Sequence, residues 1–380
     1  MKNICYDKQC TGCGACALVC PKNAILMTEN TEGFVIPVVD DDKCIKCGLC
    51  IKKCAKHNDN SNPNRTVYAV VANDSKLLHN STSGGFFGVL AKHIIQEGGY
   101  VYGVAYTDDL RVKHIRIEAE GELSRLHGSK YVQSNASACF ADIKEQLKAG
   151  KKLLFSGTGC QISGLLSFLG GSNENLITIE VVCHGVPSQG LFNKYIEWLG
   201  NKRGGNVTEF QFRSKNMRPT GEHSQFTYIC NNKRYKGQAY EDPYYSAFLN
   251  GRILRESCYN CSFKGSSRVA DFTIGDFWGV ERQLKNFPVN NGTSAVLINT
   301  EKAEKLFDKI KDSFIYKETS YEVAQKFNPS LHTSTKAERL AFNIDDEALF
   351  TKTLKPQSSA KDIIKNRIPW KLKATLKKLR

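Results

Sequence analysis

No run of about 18 apolar residues occurs in the sequence, which argues against a membrane-spanning helix. The N-terminus, MKNICYDKQC, also lacks the apolar stretch of a signal peptide. We therefore expect a cytoplasmic protein whose thiols stay reduced. In that setting disulfides do not account for the 15 cysteines, and metal ligation becomes the leading explanation for them.

Acidic residues are scarce relative to basic ones, since 38 Asp and Glu stand against 53 Lys and Arg, a formal net charge of +15. An anionic cofactor, an acidic protein, an anionic membrane surface or a nucleic acid can use such an excess. Nucleic-acid binding is not expected, because there is no recognition motif and the aromatic residues do not alternate with the basic C-terminus. The length of 380 residues, with 41% hydrophobic and 24% charged residues, indicates a globular protein of two or three domains.

The densest motif is a cysteine-rich segment, CTGCGACALVCP, that occurs again downstream as CIKCGLCIKKC. The first copy holds Cys10, Cys13, Cys16 and Cys20, and the second holds Cys44, Cys47, Cys50 and Cys54. Both copies have the spacing Cys-x-x-Cys-x-x-Cys-x-x-x-Cys, which is typical of bacterial ferredoxins with two 4Fe–4S clusters. In such proteins the fourth cysteine of each copy ligates the other cluster. We therefore assign Cys54 to the first cluster and Cys20 to the second.

Three alternatives to an iron–sulfur segment are weaker. A disulfide knot requires an oxidising compartment that nothing in the sequence indicates. Zinc prefers two separated Cys-x-x-Cys pairs to a triplet with a distant fourth cysteine. The duplication argues against coincidence. Residues 1–60 are therefore predicted to form a ferredoxin-like domain that relays electrons through two 4Fe–4S clusters.

After a polar segment, 61–66, which we interpret as a linker, the pattern changes. Strand-like segments such as VYAVVAND and KKLLFSG alternate with helical ones, which predicts a mixed-sheet α/β domain over 67–350. Within it, TEFQFRSK, QFTYICNNKRYKG and VADFTIGDFWG indicate a more antiparallel part. The expected fold class is thus α+β and α/β, with a small ferredoxin-like domain before a larger mixed-sheet domain.

Residues 351–380 form a basic tail. Its apolar residues recur at spacings of three and four with lysines beside them; they are Trp370, Leu372, Leu376 and Leu379. This pattern predicts an amphipathic helix, which either contacts an anionic membrane peripherally or packs on its own domain. Both alternatives remain open at this stage.

Seven cysteines lie outside the ferredoxin ligands. Four of them occur beside glycine at predicted strand ends or in loops, namely Cys160, Cys183, Cys258 and Cys261. Sites form at the strand ends of α/β sheets, so these four can hold a third cluster. The alternative is that Cys160 and Cys183 are small buried hydrophobic residues and that the other pair is chance. The three remaining thiols, Cys5, Cys139 and Cys230, are expected to tolerate serine.

Two predicted strand-to-helix turns are rich in glycine, one at Gly84–Gly85 and one at Gly157-x-Gly159. Backbone amides at such turns can hold a phosphate group. Neither turn matches the dinucleotide fingerprint Gly-x-Gly-x-x-Gly, and a tight turn without a ligand is the structural alternative. Composition and spacing leave a flavin or nucleotide site open.

Several segments, in order, resemble the beta subunit family of coenzyme F-420 hydrogenases and dehydrogenases. They are SGGFFGVLA, HGSKYVQS, SGTGCQISGL, VCHGVPS and CYNCSFKGSSRVADFTIGDFWG. The resemblance covers the chain to about residue 280 and implies a flavin-dependent oxidoreductase with FAD and iron–sulfur clusters. A fused ferredoxin domain is similar to bacterial members associated with surface-polysaccharide biosynthesis, so use of the deazaflavin coenzyme is not assumed.

The resemblance also implies roles for individual residues. The predicted FAD contacts are Ser83, Gly84, Gly85, Gly128, Ser129, Lys130, Tyr131, Gly157 and Thr158, with Lys130 opposite the pyrophosphate. Cys160, Cys183, Cys258 and Cys261 match the family's own cluster. Many members have proline where this chain has Gly159, which affects the turn geometry. His184 is a candidate proton donor, and Asp271 and Asp276 either orient a flavin or cap the local structure.

Clusters carry single electrons, whereas a flavin accepts them singly and delivers a hydride. The sequence therefore predicts a ferredoxin-linked, flavin-dependent oxidoreductase that acts on an organic substrate or coenzyme. The alternative is a non-catalytic subunit that relays electrons to a partner enzyme. The expected partners are accordingly a redox protein or a small-molecule substrate.

Overall fold

A computed structural model describes residues 7–57, 61–63, 65–213, 225–289 and 291–356. The strands are β1 Ile25–Glu29, β2 Val35–Val39, β3 Asn62–Pro63, β4 Thr66–Ala72, β5 Tyr100–Tyr106, β6 Val112–Ile117, β7 Leu153–Gly157, β8 Leu176–Val181, β9 Val207–Gln211, β10 Gln225–Cys230, β11 Lys233–Gln238, β12 Ser267–Arg268, β13 Phe272–Asp276, β14 Ser294–Ile298 and β15 Phe314–Thr319. The α-helices are α1 Ala15–Leu18, α2 Leu49–Lys52, α3 Ser75–Asn80, α4 Phe86–Gln96, α5 Leu123–Leu126, α6 Phe140–Lys148, α7 Gly159–Leu169, α8 Gln189–Arg203, α9 Pro243–Leu249, α10 Val280–Gln283, α11 Glu301–Ile310 and α12 Tyr321–Gln325.

The N-terminal region pairs β1 with β2 in an antiparallel hairpin, and α1 and α2 each contain the third cysteine of a triplet, Cys16 and Cys50. Each short helix begins after a glycine in the left-handed region, Gly14 with φ 76° and Gly48 with φ 74°. A side chain is disfavoured at such an angle, which explains why both copies have glycine between their second and third cysteines. The predicted ferredoxin-like domain is confirmed.

The large domain is built on an eight-stranded sheet with the order β15-β4-β14-β13-β8-β7-β5-β6. Strands β5, β7, β8 and β13 run parallel to one another, and β4 has the same direction because β14 is antiparallel to both β13 and β4. The carboxyl ends of five strands therefore meet at one edge, where α/β proteins bind ligands. This mixed sheet confirms the expected fold class.

One strand differs from the expectation. The sequence pattern groups VADFTIGDFWG with the antiparallel part, but β13 lies within the main sheet, parallel to β8 and antiparallel to β14. Its first residue, Phe272, is fully buried and packs on Phe86 of α4. Burial inside the central sheet therefore decides the position of this strand.

A separate three-stranded sheet, β11-β10-β9, is antiparallel throughout, as predicted. It packs against α8 and α9 through an aromatic core that includes Phe192, Tyr195, Phe212, Tyr244 and Tyr245. This layer stands beside the main sheet and lines the cleft described below.

The two predicted boundary regions have structure of their own. Within the predicted linker, β3 forms an antiparallel pair with β12. Near the C-terminus, a π-helical turn at Leu349–Thr353 is followed by Leu354, which is buried in the aromatic core. The predicted tail helix from Trp370 onward lies outside the described residues, as does Cys5. No helix in the described ranges is long and apolar enough to cross a bilayer.

Candidate functional site

The structure brings four cysteines of the ferredoxin-like domain together around α1. They are Cys10, Cys13, Cys16 and Cys54, here called the first thiol group. Burial raises the pKa of Cys16 to about 12, and the neighbouring thiols of the group contribute to the same rise. The inclusion of Cys54 reproduces the exchange of the fourth cysteine between the two copies that the spacing predicts.

The other four cysteines of this domain line one surface depression. They are Cys20, Cys44, Cys47 and Cys50, here called the second thiol group. Cys47 is exposed, and Ile45 at the rim has 57% of its surface exposed. The backbone N–H of Ala24 donates to the Cys20 sulfur at 3.2 Å. This group therefore opens directly to the surface of the molecule.

The third thiol group lies at the carboxyl edge of the main sheet. Cys160 is in the first turn of α7 immediately after β7, and Cys183 follows the neighbouring strand β8. Cys258 and Cys261 reach the same place from a loop, in which the Cys261 N–H donates to the Ser334 hydroxyl at 3.0 Å. Electrostatic interactions connect the four thiols with one another. The structure thus brings together the four cysteines that the sequence motifs indicate.

The protein desolvates this third group strongly. Part of the surface of each of these four cysteines is exposed to solvent. Even so, the surrounding atoms raise the pKa values of Cys160, Cys183 and Cys258 to about 12, mainly through burial. Such thiols stay protonated unless a metal or a cation stabilises the thiolate. A buried group of four thiols is therefore suited to metal ligation rather than to reaction with solutes.

The described residues contain no compact site for a single metal ion. Among the residues that the structure describes, no three Cys, His, Asp or Glu side chains form a group that can hold one metal ion. In a 4Fe–4S cube each thiolate binds a different iron, so its four ligands stand farther apart than those of one ion. Four cysteines in each of the three groups are the ligand set of a 4Fe–4S cluster.

Two basic residues near the third group were not recognised in the sequence. Lys264 interacts electrostatically with Cys183, Cys261 and Cys258. Arg255 interacts with Cys258 and Cys160, and also with Cys10 of the first group. Both lie in a loop next to cysteines in the chain, but their positions relative to the sulfurs follow only from the tertiary structure.

The predicted flavin segment at 128–131 borders a cleft of about 560 Å³ between this segment and the β9–β10 layer. Burial lowers the pKa of Lys130 to about 7, and its Nζ donates to the His127 carbonyl at 2.8 Å. Within the described part of the chain, the Tyr106 hydroxyl and the His127 Nε2 are buried without a hydrogen-bond partner. Three polar groups at one end of the cleft thus have hydrogen-bonding capacity that the protein does not use fully.

Arg213 joins two of the predicted flavin segments. Its guanidinium donates to the Thr82 carbonyl at 3.2 Å and to the Tyr131 hydroxyl at 3.5 Å. It also forms an ion pair with Asp276 at 3.0 Å, and only 6% of the Arg213 side chain is exposed. Sequence reasoning identifies Asp276 as a residue near the site but misses Arg213, whose partners lie far away in the chain.

The other predicted glycine turns have structural explanations. A Cβ at Gly84 would lie 2.1 Å from the Val70 carbonyl oxygen, and one at Gly85 would lie 2.9 Å from the Ala72 Cβ. These glycines are required for packing of the turn against β4, so flavin contact at Ser83, Gly84 and Gly85 stays a prediction. Next to Gly157, the Thr158 hydroxyl is 3.1 Å from the Cys160 sulfur, which places this turn beside the third thiol group.

Phe248 connects the two candidate sites. Its ring stacks on Tyr131 at 4.6 Å and meets the His184 ring edge-on at 5.5 Å. Burial lowers the pKa of His184, and its Nε2 is buried without a partner in the described ranges. Asp271 is structural, because its carboxylate accepts hydrogen bonds from Thr178 and Thr300.

Residues 150–323 match the family model for the C terminus of the coenzyme F420 hydrogenase/dehydrogenase beta subunit, and residues 9–58 match the model "4Fe-4S dicluster domain". This chain carries the beta-subunit domain behind a dicluster domain. The family expected from the sequence motifs is confirmed. The protein is therefore an iron–sulfur, electron-transfer protein of oxidoreductase type that is related to these beta subunits.

Individual relatives cover parts of the chain. An uncharacterized protein of Methanocaldococcus jannaschii is 23% identical over 197 residues, which are 44% of this chain and 55% of that protein. A subunit of the Na(+)-translocating ferredoxin:NAD(+) oxidoreductase complex of Acetobacterium woodii is 43% identical over 47 residues, 12% of this chain and 13% of that protein. The chain thus spans about half or less of the length of these curated relatives.

One solved structure is similar over a longer range. It is a chain of the F420-reducing [NiFe] hydrogenase complex from Methanosarcina barkeri, with a TM-score of 0.47 and 14% identity. The alignment covers 70% of this chain and 85% of that one. At this score the likeness is weak, and no residue role is transferred from it.

Proposed function

We propose that the protein is an iron–sulfur flavoprotein oxidoreductase. Electrons would pass between the two N-terminal 4Fe–4S clusters, a third 4Fe–4S cluster and FAD, and so oxidise or reduce an organic substrate or coenzyme. In this proposal the first and second thiol groups ligate the N-terminal clusters, and the third cluster is held by Cys160, Cys183, Cys258 and Cys261.

The observation that carries the proposal is that helix α7, which holds Cys160 of the third thiol group in its first turn, packs against the first thiol group. Helix α7 presents Gly164 to the ferredoxin-like domain, and a Cβ there would lie 3.0 Å from the Cys13 sulfur. The Cys13 thiol also interacts electrostatically with Cys160, at the start of the same helix. The Ser163 hydroxyl donates to the Ala55 carbonyl at 3.2 Å, which fixes the two domains here. A relay domain positioned in this way supports electron transfer into the large domain.

The cleft beside residues 127–130 supports a flavin site in chemical terms. Lys130 is a half-buried amine whose Nζ donates to two backbone carbonyls, so an anionic phosphate is a suitable additional partner. The Tyr106 hydroxyl and the His127 Nε2 are buried and can form hydrogen bonds with polar atoms of a ligand. When bound there, FAD would couple one-electron transfer to hydride transfer. His184 remains the candidate proton donor.

A second candidate function is a relay subunit without substrate chemistry. It is favoured by the exposed second thiol group, with Cys47 and Ile45 at the surface, which suits contact with another redox protein. One relative is named as a subunit of a ferredoxin:NAD(+) oxidoreductase complex, which agrees with this alternative.

Anaerobic purification of the full chain, followed by iron, sulfide and flavin analysis, tests the proposal. We expect about twelve irons and twelve sulfides, the content of three 4Fe–4S clusters, and one FAD per chain. Zinc without acid-labile sulfide would contradict the cluster assignment. Full cluster content without flavin would favour the relay subunit over the oxidoreductase.

A further inference from the structure

The guanidinium of Arg255 is buried and has no carboxylate partner among the described residues. Only 4% of the residue is exposed. Its side chain donates to the Gln133 Oε1 at 2.8 Å, the Val35 carbonyl at 2.8 Å and the Cys10 carbonyl at 3.2 Å. In the part of the chain that the structure describes, all of these acceptors are neutral. A buried cation is costly unless an opposite charge compensates it, so the missing counter-charge requires an explanation.

The nearest candidates for that counter-charge are cysteines from two different thiol groups. Cys10 and Cys13 of the first group and Cys258 and Cys160 of the third all interact electrostatically with the guanidinium. A Cβ at Gly12, within the first cysteine triplet, would lie 2.7 Å from a terminal nitrogen of Arg255. The guanidinium therefore lies between the two groups.

Both domains hold Arg255 in this position. The Cys10 and Val35 carbonyls belong to the ferredoxin-like domain, whereas Gln133 belongs to the large domain and also donates to the Thr11 carbonyl at 2.8 Å. The guanidinium lies over the Phe34 ring at 4.8 Å. The Arg255 backbone N–H donates to the Val186 carbonyl, near Cys183. The charge is thus fixed at the domain interface and cannot turn toward solvent.

We propose that Arg255 is a shared counter-charge for the clusters of the first and third thiol groups, and that it raises the reduction potentials of both. This inference rests on the proposed function, because it assumes the third cluster. Reduction adds one electron to a cluster without making or breaking a bond, and the added negative charge is stabilised by a fixed cation nearby. The second group is outside this effect, so electrons would collect at the domain interface.

The test is an anaerobic redox titration of the full chain with dithionite as the reductant, monitored by electron paramagnetic resonance. Replacing Arg255 by glutamine removes the charge, whereas Arg255→Lys retains it. For Arg255→Gln we expect about a tenfold loss in the equilibrium constant for reduction at two clusters, equivalent to about 59 mV for a one-electron couple. The third potential should stay at its original value, and Arg255→Lys should keep all three close to their original values.

A second pair of variants leaves Arg255 in place. Gln133→Glu would put a carboxylate beside the guanidinium and neutralise it, so the same two potentials should fall. Both variants lose the hydrogen bond to the Thr11 carbonyl, and Gln133→Met also loses the one from Arg255. Gln133→Met adds no charge and serves as the control for lost hydrogen bonds, with no shift expected. If Arg255 had a purely structural role, Gln133→Met would have the larger effect, because only that variant loses the hydrogen bond from Arg255. If Arg255→Gln does not retain its iron, the Gln133 pair decides the question.

Iron analysis separates the inference from the proposed function. About eight irons in the unaltered chain would contradict the third cluster, and Arg255 would then be tested on the first cluster alone. About twelve irons with unchanged potentials in both Arg255→Gln and Gln133→Glu would overturn the inference and leave the proposed function intact. A parallel fall of all three potentials would also overturn it, because the second group is not next to Arg255.

Discussion

The second and third thiol groups contain four cysteines each but differ in their surroundings. The second group lies in an open depression with Cys47 exposed and Ile45 at its rim. The third lies at the carboxyl edge of the main sheet, where Arg255 and Lys264 interact electrostatically with its cysteines. The open group suits electron exchange with another protein, and the enclosed group suits exchange within the molecule. The first group connects them, because its Cys13 packs on α7.

The largest expected effect comes from a variant that disrupts the third thiol group. Cys160→Ser should lower the iron content from about twelve to about eight per chain, while the signals of the two N-terminal clusters remain. Iron and sulfide analysis with electron paramagnetic resonance measures this. Cys139→Ser is the matched control: its thiol is also buried and donates to the His114 carbonyl at 3.2 Å. It should keep all the iron, with a modest loss of stability, and an equal loss of iron in both variants would contradict the assignment.

The ion pair between Arg213 and Asp276 should be needed for both stability and flavin binding. Arg213→Met removes the cation beside the largely buried Asp276 carboxylate, which costs about 3 kcal/mol in free energy of unfolding. It also removes the link between Thr82 and Tyr131. Thermal unfolding and flavin content measure the two effects.

The double variant Arg213→Met, Asp276→Asn is the control for this pair. It should recover part of the lost stability, because the carboxylate charge is removed together with the cation. It should not recover flavin, because the Arg213 contacts to the two segments are still missing. Full flavin in both variants would show that the segments do not form one site.

Lys130 should affect flavin affinity more than stability. Lys130→Met keeps a side chain of similar length but removes the amine. We expect roughly tenfold weaker flavin binding, equivalent to about 1.4 kcal/mol in binding free energy. The iron content should not change. Burial lowers the pKa of Lys130 to about 7, so a higher pH neutralises the amine. Affinity for the anionic cofactor should therefore fall above about pH 7 in the unaltered chain and stay flat in Lys130→Met. A flat profile in both would exclude Lys130 from the site.

The grouping of the cysteines could largely be predicted from the sequence, because it follows from the spacing of residues that are close together in the chain. The duplicated cysteine triplets predict the first two groups, and the positions of Cys160 and Cys183 after adjacent parallel strands follow from the α/β pattern. Arg255 could not be predicted, because its environment is formed by residues as distant in the chain as Cys10, Gln133 and Val186. Gly84 was ambiguous for a related reason, since a tightly packed turn and a phosphate-binding turn both require glycine.

The smallest expected effect concerns the exposed end of the relay. Ile45→Asp should weaken docking of an acidic ferredoxin by roughly 1 kcal/mol, about fivefold in affinity, because an apolar contact is lost and a like charge is added. Leu26→Asp is the matched control, since Leu26 is 61% exposed but does not line the depression around the second thiol group. Stopped-flow reduction by the ferredoxin should slow in the first variant alone, and reduction by dithionite should be unchanged in both. Equal slowing would show that the partner does not dock at this depression, and the functional contrast between the open and the enclosed group would then lose its support.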